Sequence, residues 1–189
     1  FRALLFRSVL EMKTWKSLIL IAVVACATSA FAQPAIGVFF DEAGTINHAT
    51  PNGGLGEIHT AYVCAVNCEM MVAGASFKLV MDPQILLLTA TYPEGLAVGE
   101  IAAGVDLGLT NPIAAFFGDA AVLATLQLTT FNNLMDHAPM TISNHPSYAT
   151  PKVADSLANL YTATGLVSHL SIVVGNETKS WSEVKSLFQ

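Results

Sequence analysis

The stretch AGASFKLVMDPQILLLTATY, residues 73–92, decides how the rest of this chain is read. Ala75, Phe77, Leu79 and Met81 alternate with Ser76, Lys78 and Val80, the period of a strand with one buried face. Asp82-Pro83 ends that period, because proline has no amide to donate to a ladder and its ring pushes the preceding residue towards extended geometry. A second apolar run, residues 85–92, leaves the corner. Neither strand offers a nucleophile or a proton carrier, so the stretch speaks to architecture and not to chemistry.

Outward from this pair the same short-strand grammar continues. Residues 36–40 form an apolar strand and 44–56 a Gly/Asn/Pro-rich surface loop. Residues 57–66 read as a strand apolar on both sides, hence central or covered. After a turn at Pro93-Glu94-Gly95, strands are expected at 102–110 and 113–117, separated by Asn111-Pro112. The cleanest alternation in the chain follows at 120–131, a core strand. Segments 140–143, 153–161 and 167–174 complete the set. Many short strands with turns between them, and no long helical period between strands, predict an all-β antiparallel sandwich.

Gly74-Ala75-Ser76-Phe77 entering a strand, and Met81-Asp82-Pro83-Gln84-Ile85-Leu86 leading into the next, resemble the G-a-x-F-x-l-x-[YF]-D-P-x-x-L segment of bacterial cohesin-like domains. The likeness covers about twenty residues, and Met81 stands where that family usually has an aromatic. The resemblance implies a secreted jelly roll of about nine strands, related in shape to carbohydrate-binding modules. It assigns no binding residue.

The beginning of the chain predicts export. Met12-Lys13-Thr14-Trp15-Lys16 is a positive n-region, residues 17–26 (SLILIAVVAC) an apolar run too short to span a bilayer comfortably, and Ala30-Phe31-Ala32 an A-x-A site. Residues 12–32 are therefore expected to be a signal peptide cleaved after Ala32, and residues 1–11 sequence upstream of the initiator. A competing reading takes Val23-Val24-Ala25-Cys26 as a lipobox with Cys26 as the anchored terminus. Either one puts the domain, residues 33–176, outside the cytoplasm, with no membrane span in its mature form.

From Gln33 onward the chain carries four lysines, no arginine and thirteen carboxylates, a formal net charge of −9. That balance opposes nucleic acid and anionic membrane surfaces as partners, since both demand clustered cations. Two cysteines remain, Cys64 and Cys68. In one extended strand their Cα atoms would lie roughly 13 Å apart, so a disulfide needs a turn at Ala65-Val66-Asn67; a bridge and two unpaired thiols both stay open. Residues 177–189 break the β pattern. Ser180-Trp181-Ser182-Glu183 fits a capping box, and Trp181, Val184 and Phe188 recur at helical spacing. This short amphipathic helix must dock its Trp181 and Phe188, on its own sandwich or on a partner.

Candidate chemistry is sparse. Five histidines show no H-x-x-x-H or H-E-x-x-H spacing. Asp136, His137 and His145 occupy neighbouring turns, and Asp41-Glu42 stands at a strand end where calcium loops form, although adjacent strand residues point to opposite faces. Asp41, Asp136, His137 and His145 are the residues a metal site would use; the expectation is no metal and no cofactor. No G-x-S-x-G elbow, P-loop or dinucleotide fingerprint occurs. The reading is a non-enzymatic secreted or cell-surface module that binds another macromolecule, most simply a protein, as the resemblance implies. The alternative is a carbohydrate-binding module with a polysaccharide partner, which the scattered Tyr92, Tyr148 and Tyr161 disfavour because sugars stack on coplanar aromatics. A hydrolase built on Asp136, His137 and His145 comes third.

Overall fold

The computed structural model describes residues 33–50, 56–116, 118–131 and 134–173, all within the compact unit Gln33–Gln189. The expected signal peptide, Cys26, Trp181, Phe188 and the C-terminal helix lie outside the described residues. Those residues form strands and loops only: β1 (Ala35–Phe39), β2 (His48–Ala49), β3 (His59–Val66), β4 (Met70–Met81), β5 (Ile85–Thr91), β6 (Gly95–Glu100), β7 (Gly104–Ala115), β8 (Ala121–Thr130), β9 (Leu134–Ser143), β10 (Lys152–Asp155), β11 (Leu160–Thr162), β12 (Thr164–Gly165) and β13 (Val167–Val173). No helix among them is long and apolar enough to cross a membrane.

Two sheets face each other. One has the order β12-β1-β3-β8-β5; the other runs β11-β10-β4-β9-β13-β2, with β7 and then β6 added at β4. Strand β4 organises the second sheet. Its residues 72–76 pair with β10 and 78–81 with β9, while 70–77 pair with β7 along the opposite edge. The alternation read from the sequence decides which side goes inward: Ala75, Phe77 and Leu79 are buried and meet Ala61, Val63 and Ala65 of β3 and Leu126 and Leu128 of β8 in one core.

The Asp-Pro corner is built as its chemistry requires. The Asp82 side chain accepts from the Gln84 amide at 2.8 Å and its carbonyl from the Ile85 amide at 2.9 Å, closing the turn into β5. At the other end of the chain, Leu166 crosses between the sheets. Its amide donates to Ile36 in the first sheet and its carbonyl accepts from Ile142 in the second. The approach is so close that a Cβ on Gly165 would sit 1.9 Å from the Ile142 oxygen, so only glycine fits.

Four expectations are corrected. Residues 95–100, taken for a turn and its sequel, form strand β6; Asn111-Pro112 does not divide β7, whose register with β4 slips between Val72 and Gly74 to absorb the extra residues. Strand β9 begins at Leu134, not at residue 140, and 153–161 divides into β10 and β11 around a turn held by Asp155. Cys64 and Cys68 are both unpaired and buried. The reason is alternation: Ala61, Val63 and Ala65 take the inner face of β3, which turns Cys64 outward onto Phe39 and Val66, whereas Cys68, beyond the left-handed Asn67 (φ 55°), enters the core between the sheets. Burial pushes the two thiols up to about 12 and about 11.

Candidate protein-binding face

The outer face of the eight-stranded sheet follows from the register of β4. Because Ala75 and Phe77 point inward, Gly74 and Ser76 point outward, and their partners in the neighbouring strands point outward with them. Two cross-strand rows result. One runs Leu160, Ala154, Gly74, Gly108, Leu96; the next runs Thr162, Lys152, Ser76, Asp106, Val98. With about 4.8 Å between strands, each row spans roughly 19 Å from β11 to β6.

The relief of this surface comes from side-chain size. Alanine and two glycines form the floor of the first row, and Leu160 (58% exposed) and Leu96 (68%) stand at its ends, with Val98 (54%) beside Leu96. The two glycines are not equivalent. A Cβ on Gly74 would lie 2.6 Å from the Leu107 oxygen, so the backbone excludes it, but a Cβ on Gly108 would meet nothing within 4 Å. Gly108 is therefore dispensable for packing and simply leaves the floor open.

Farther along the same face, Val80 of β4, Thr141 of β9 and Val167 of β13 form a third row whose valines are also exposed. Charged groups stand among these rows, with Lys78 beside Ser76 on β4 and Glu100 beside Val98 on β6. Lys152 Nζ donates to Thr162 Oγ1 at 3.0 Å, and His145 Nε2 stands 3.7 Å from Asp106 Oδ2. Between them the Ser76 hydroxyl is buried without a hydrogen-bond partner. Exposed Leu and Val around a small-residue floor suit contact with another protein surface.

The residues singled out from sequence fall elsewhere. The Asp41 carboxylate accepts from the Thr45 hydroxyl at 2.7 Å and amide at 3.0 Å and from the Ile46 amide at 2.7 Å, which makes it the organiser of its own loop. Burial acts to raise its pKa, but those hydrogen bonds lower it further, so it stays below the usual carboxylate value. His145 accepts from the Ser147 amide at 3.1 Å and lies against Tyr148, while the ring of His137 lies against His48 and His169. Asp136 belongs to β9. Leu96 and Val98 were not singled out, because Gly95 and Gly99 disguise their alternation as turn sequence.

No protein-family model matches the sequence, and no curated protein matches it. Solved structures do. A non-cellulosomal cohesin from the hyperthermophilic archaeon Archaeoglobus fulgidus superposes with a TM-score of 0.51 at 12% identity, covering 82% of this chain and 98% of that one. A chain of the CaDoc0917-CaCohA2 complex gives 0.50 at 11% identity, over 75% of this chain and 100% of that one, CaCohA2 being from Clostridium acetobutylicum. Similarity at this level of identity concerns the path of the backbone. The two-sheet architecture and these superpositions agree that the described residues fold as a cohesin-like β-sandwich.

Proposed function

We propose that this chain is a non-catalytic protein-binding module, exported and working outside the cytoplasm, that takes its partner on the outer face of the eight-stranded sheet. The observation that carries the reading is the pair of rows across β11, β10, β4, β7 and β6, where a small-residue floor lies between exposed Leu160 and Leu96. The similar CaCohA2 is described in a complex with CaDoc0917, which supports a partner that is itself a protein. The two rows contain no aromatic ring on which a sugar could stack, and this places the polysaccharide reading second. Export rests on residues 12–32 as read from the sequence.

The test is affinity capture from the source organism's extracellular fraction, with the wild-type chain beside Gly108→Arg and Leu96→Asp. Proteins held by the wild type and lost by both variants, with melting temperatures preserved, support the reading. Equal capture by all three chains, or reproducible binding on a glycan array that survives both substitutions, overturns it.

A further inference from the structure

Three histidines from three separate strands meet on the eight-stranded sheet, beyond the row of Val80, Thr141 and Val167. His48 of β2 and His169 of β13 are register partners in a parallel pairing, so their side chains leave adjacent strands on one face. The pairing is extended by the His169 amide, which donates to Asn47 O at 3.0 Å. His137 comes from β9, on the other side of β13. There the ladder slips between Leu170 and Ile172, His137 takes a left-handed φ of 52°, and its amide donates to Ser171 Oγ at 2.9 Å. A bulge combined with a left-handed residue re-aims a side chain, and such conformations gather at functional sites.

The three rings close a triangle. Their centroids stand 5.3 Å (His48–His137), 5.9 Å (His137–His169) and 6.5 Å (His48–His169) apart. With metal–nitrogen bonds of about 2.0–2.1 Å in tetrahedral geometry, the ring centroids of imidazoles sharing one ion lie about 5 Å apart. Two sides of the triangle are thus within about 1 Å of what a shared ion demands, and the third exceeds it by little more. As the side chains stand, no group of three or more His, Cys, Asp or Glu among the described residues is placed to hold a metal ion. What remains is ring rotation and a small approach of His48, which sits on a strand of two residues.

We infer that His48, His137 and His169 bind one divalent late transition-metal ion, with zinc as the reference ion, its fourth position left to water. Imidazole nitrogen suits this class of ion and not calcium or magnesium, which prefer oxygen. The sequence hides the site because no two of its ligands share a strand, so none of the usual local spacings appears.

Isothermal titration of the tag-free full-length chain with Zn²⁺, and Co²⁺ titration followed by its visible absorption, test the site. One saturable equivalent is expected at micromolar affinity. His137→Asn, which tolerates the left-handed backbone, His48→Ala and His169→Gln should each weaken binding at least about tenfold, because even the loss of a residue that merely supports a metal ligand costs 10–100-fold. His59→Ala and His145→Ala, outside the triangle, should bind as the wild type does. Circular dichroism of each variant separates ligand loss from unfolding. Absence of saturable binding in the wild type, or unchanged binding in the folded His137→Asn chain, overturns the inference.

Discussion

The two outer faces of the sandwich are made of the same kind of strand and end in opposite states. On the five-stranded sheet the register sets Thr60 beside Gln127 and Thr89, and Tyr62 beside Thr125 and Thr91, an uncharged hydroxyl-rich surface on which Gln127 Nε2 donates to Thr60 Oγ1 at 3.2 Å. Where that sheet carries outward Cys64 and Val66, the loop following β1 folds over them, so tightly that a Cβ on Gly44 would lie 2.9 Å from Val66, while Leu86 and Leu88 of β5 stay exposed at the sheet edge. Among the described residues, Leu96, Val98 and Leu160 of the eight-stranded sheet stay exposed. A face that the chain finishes with its own loop adds stability; a face left apolar and open among the described residues is the one proposed above for recognition.

The largest effects should fall on both faces at once, through the core they share. Phe77 is fully buried between the sheets, and Phe77→Ala should cost about 3–5 kcal/mol in urea unfolding, a large part of a typical domain's stability. Gly165→Ala forces Cβ into the Ile142 carbonyl at the crossing between the sheets and is expected to be at least as damaging. A Gly165→Ala chain with an unchanged midpoint would mean that the crossing is slack. Next in size comes an effect confined to one face. Gly108→Arg should weaken partner binding by more than about tenfold, as central interface positions do, and leave the melting temperature nearly unchanged; Thr125→Arg on the opposite face should change neither. Equal losses from both substitutions would erase the distinction.

How much of this was legible follows the range of each interaction. The Asp82-Pro83 corner, the inward set Ala75, Phe77 and Leu79, and the sandwich class all rest on neighbours in sequence, and all three stand in the structure. The rows of the proposed face were not legible, because a row is a property of register: nothing local says that Gly74 lies opposite Gly108 or that Leu160 and Leu96 close the same line. Strand β6 was missed because its glycines read as turn residues, although its hydrogen bonds come from pairing with β7. The histidine triangle is the extreme case, with three ligands from three strands. For Cys64 and Cys68 the sequence left two outcomes open, and the alternation of β3 decided between them by sending the thiols to opposite sides.

A smaller effect probes the covered face directly. Cys64 is buried beneath the loop after β1 and its thiol is pushed up to about 12, by burial first and then by Asp41 and Glu42. In the native chain near pH 8 it should react with iodoacetamide roughly a thousandfold more slowly than in denaturant, since an ordinary thiol near 8.5 is ionised far more. Peptide mapping resolves Cys64 from the other cysteines. Fast native labelling would show that the loop does not seal the face.

The smallest expected effect concerns what holds that loop in place. Burial alone would raise the Asp41 pKa, but the hydrogen bonds from the Thr45 side chain and the Ile46 and Thr45 amides bring it below its ordinary value. Asp155, lowered chiefly by the Asn159 side chain, holds the β10–β11 turn in the same way. A carboxylate whose pKa is depressed by folding adds stability that is fully present above its unfolded value, about 3.9, and is lost as pH falls through the lower folded value. Asp41 is largely solvated, so the loss should appear as local opening and not as global unfolding. Hydrogen exchange corrected for intrinsic rates should therefore show protection at Thr45 and Ile46 falling as pH drops below about 4, while residues 104–108 keep theirs. In Asp41→Asn the loop should already be less protected at pH 5 and nearly insensitive to further acid. Protection that holds steady in the wild type, or falls equally at residues 104–108, would mean that Asp41 does not set the cover and that the two faces respond to acid as one unit.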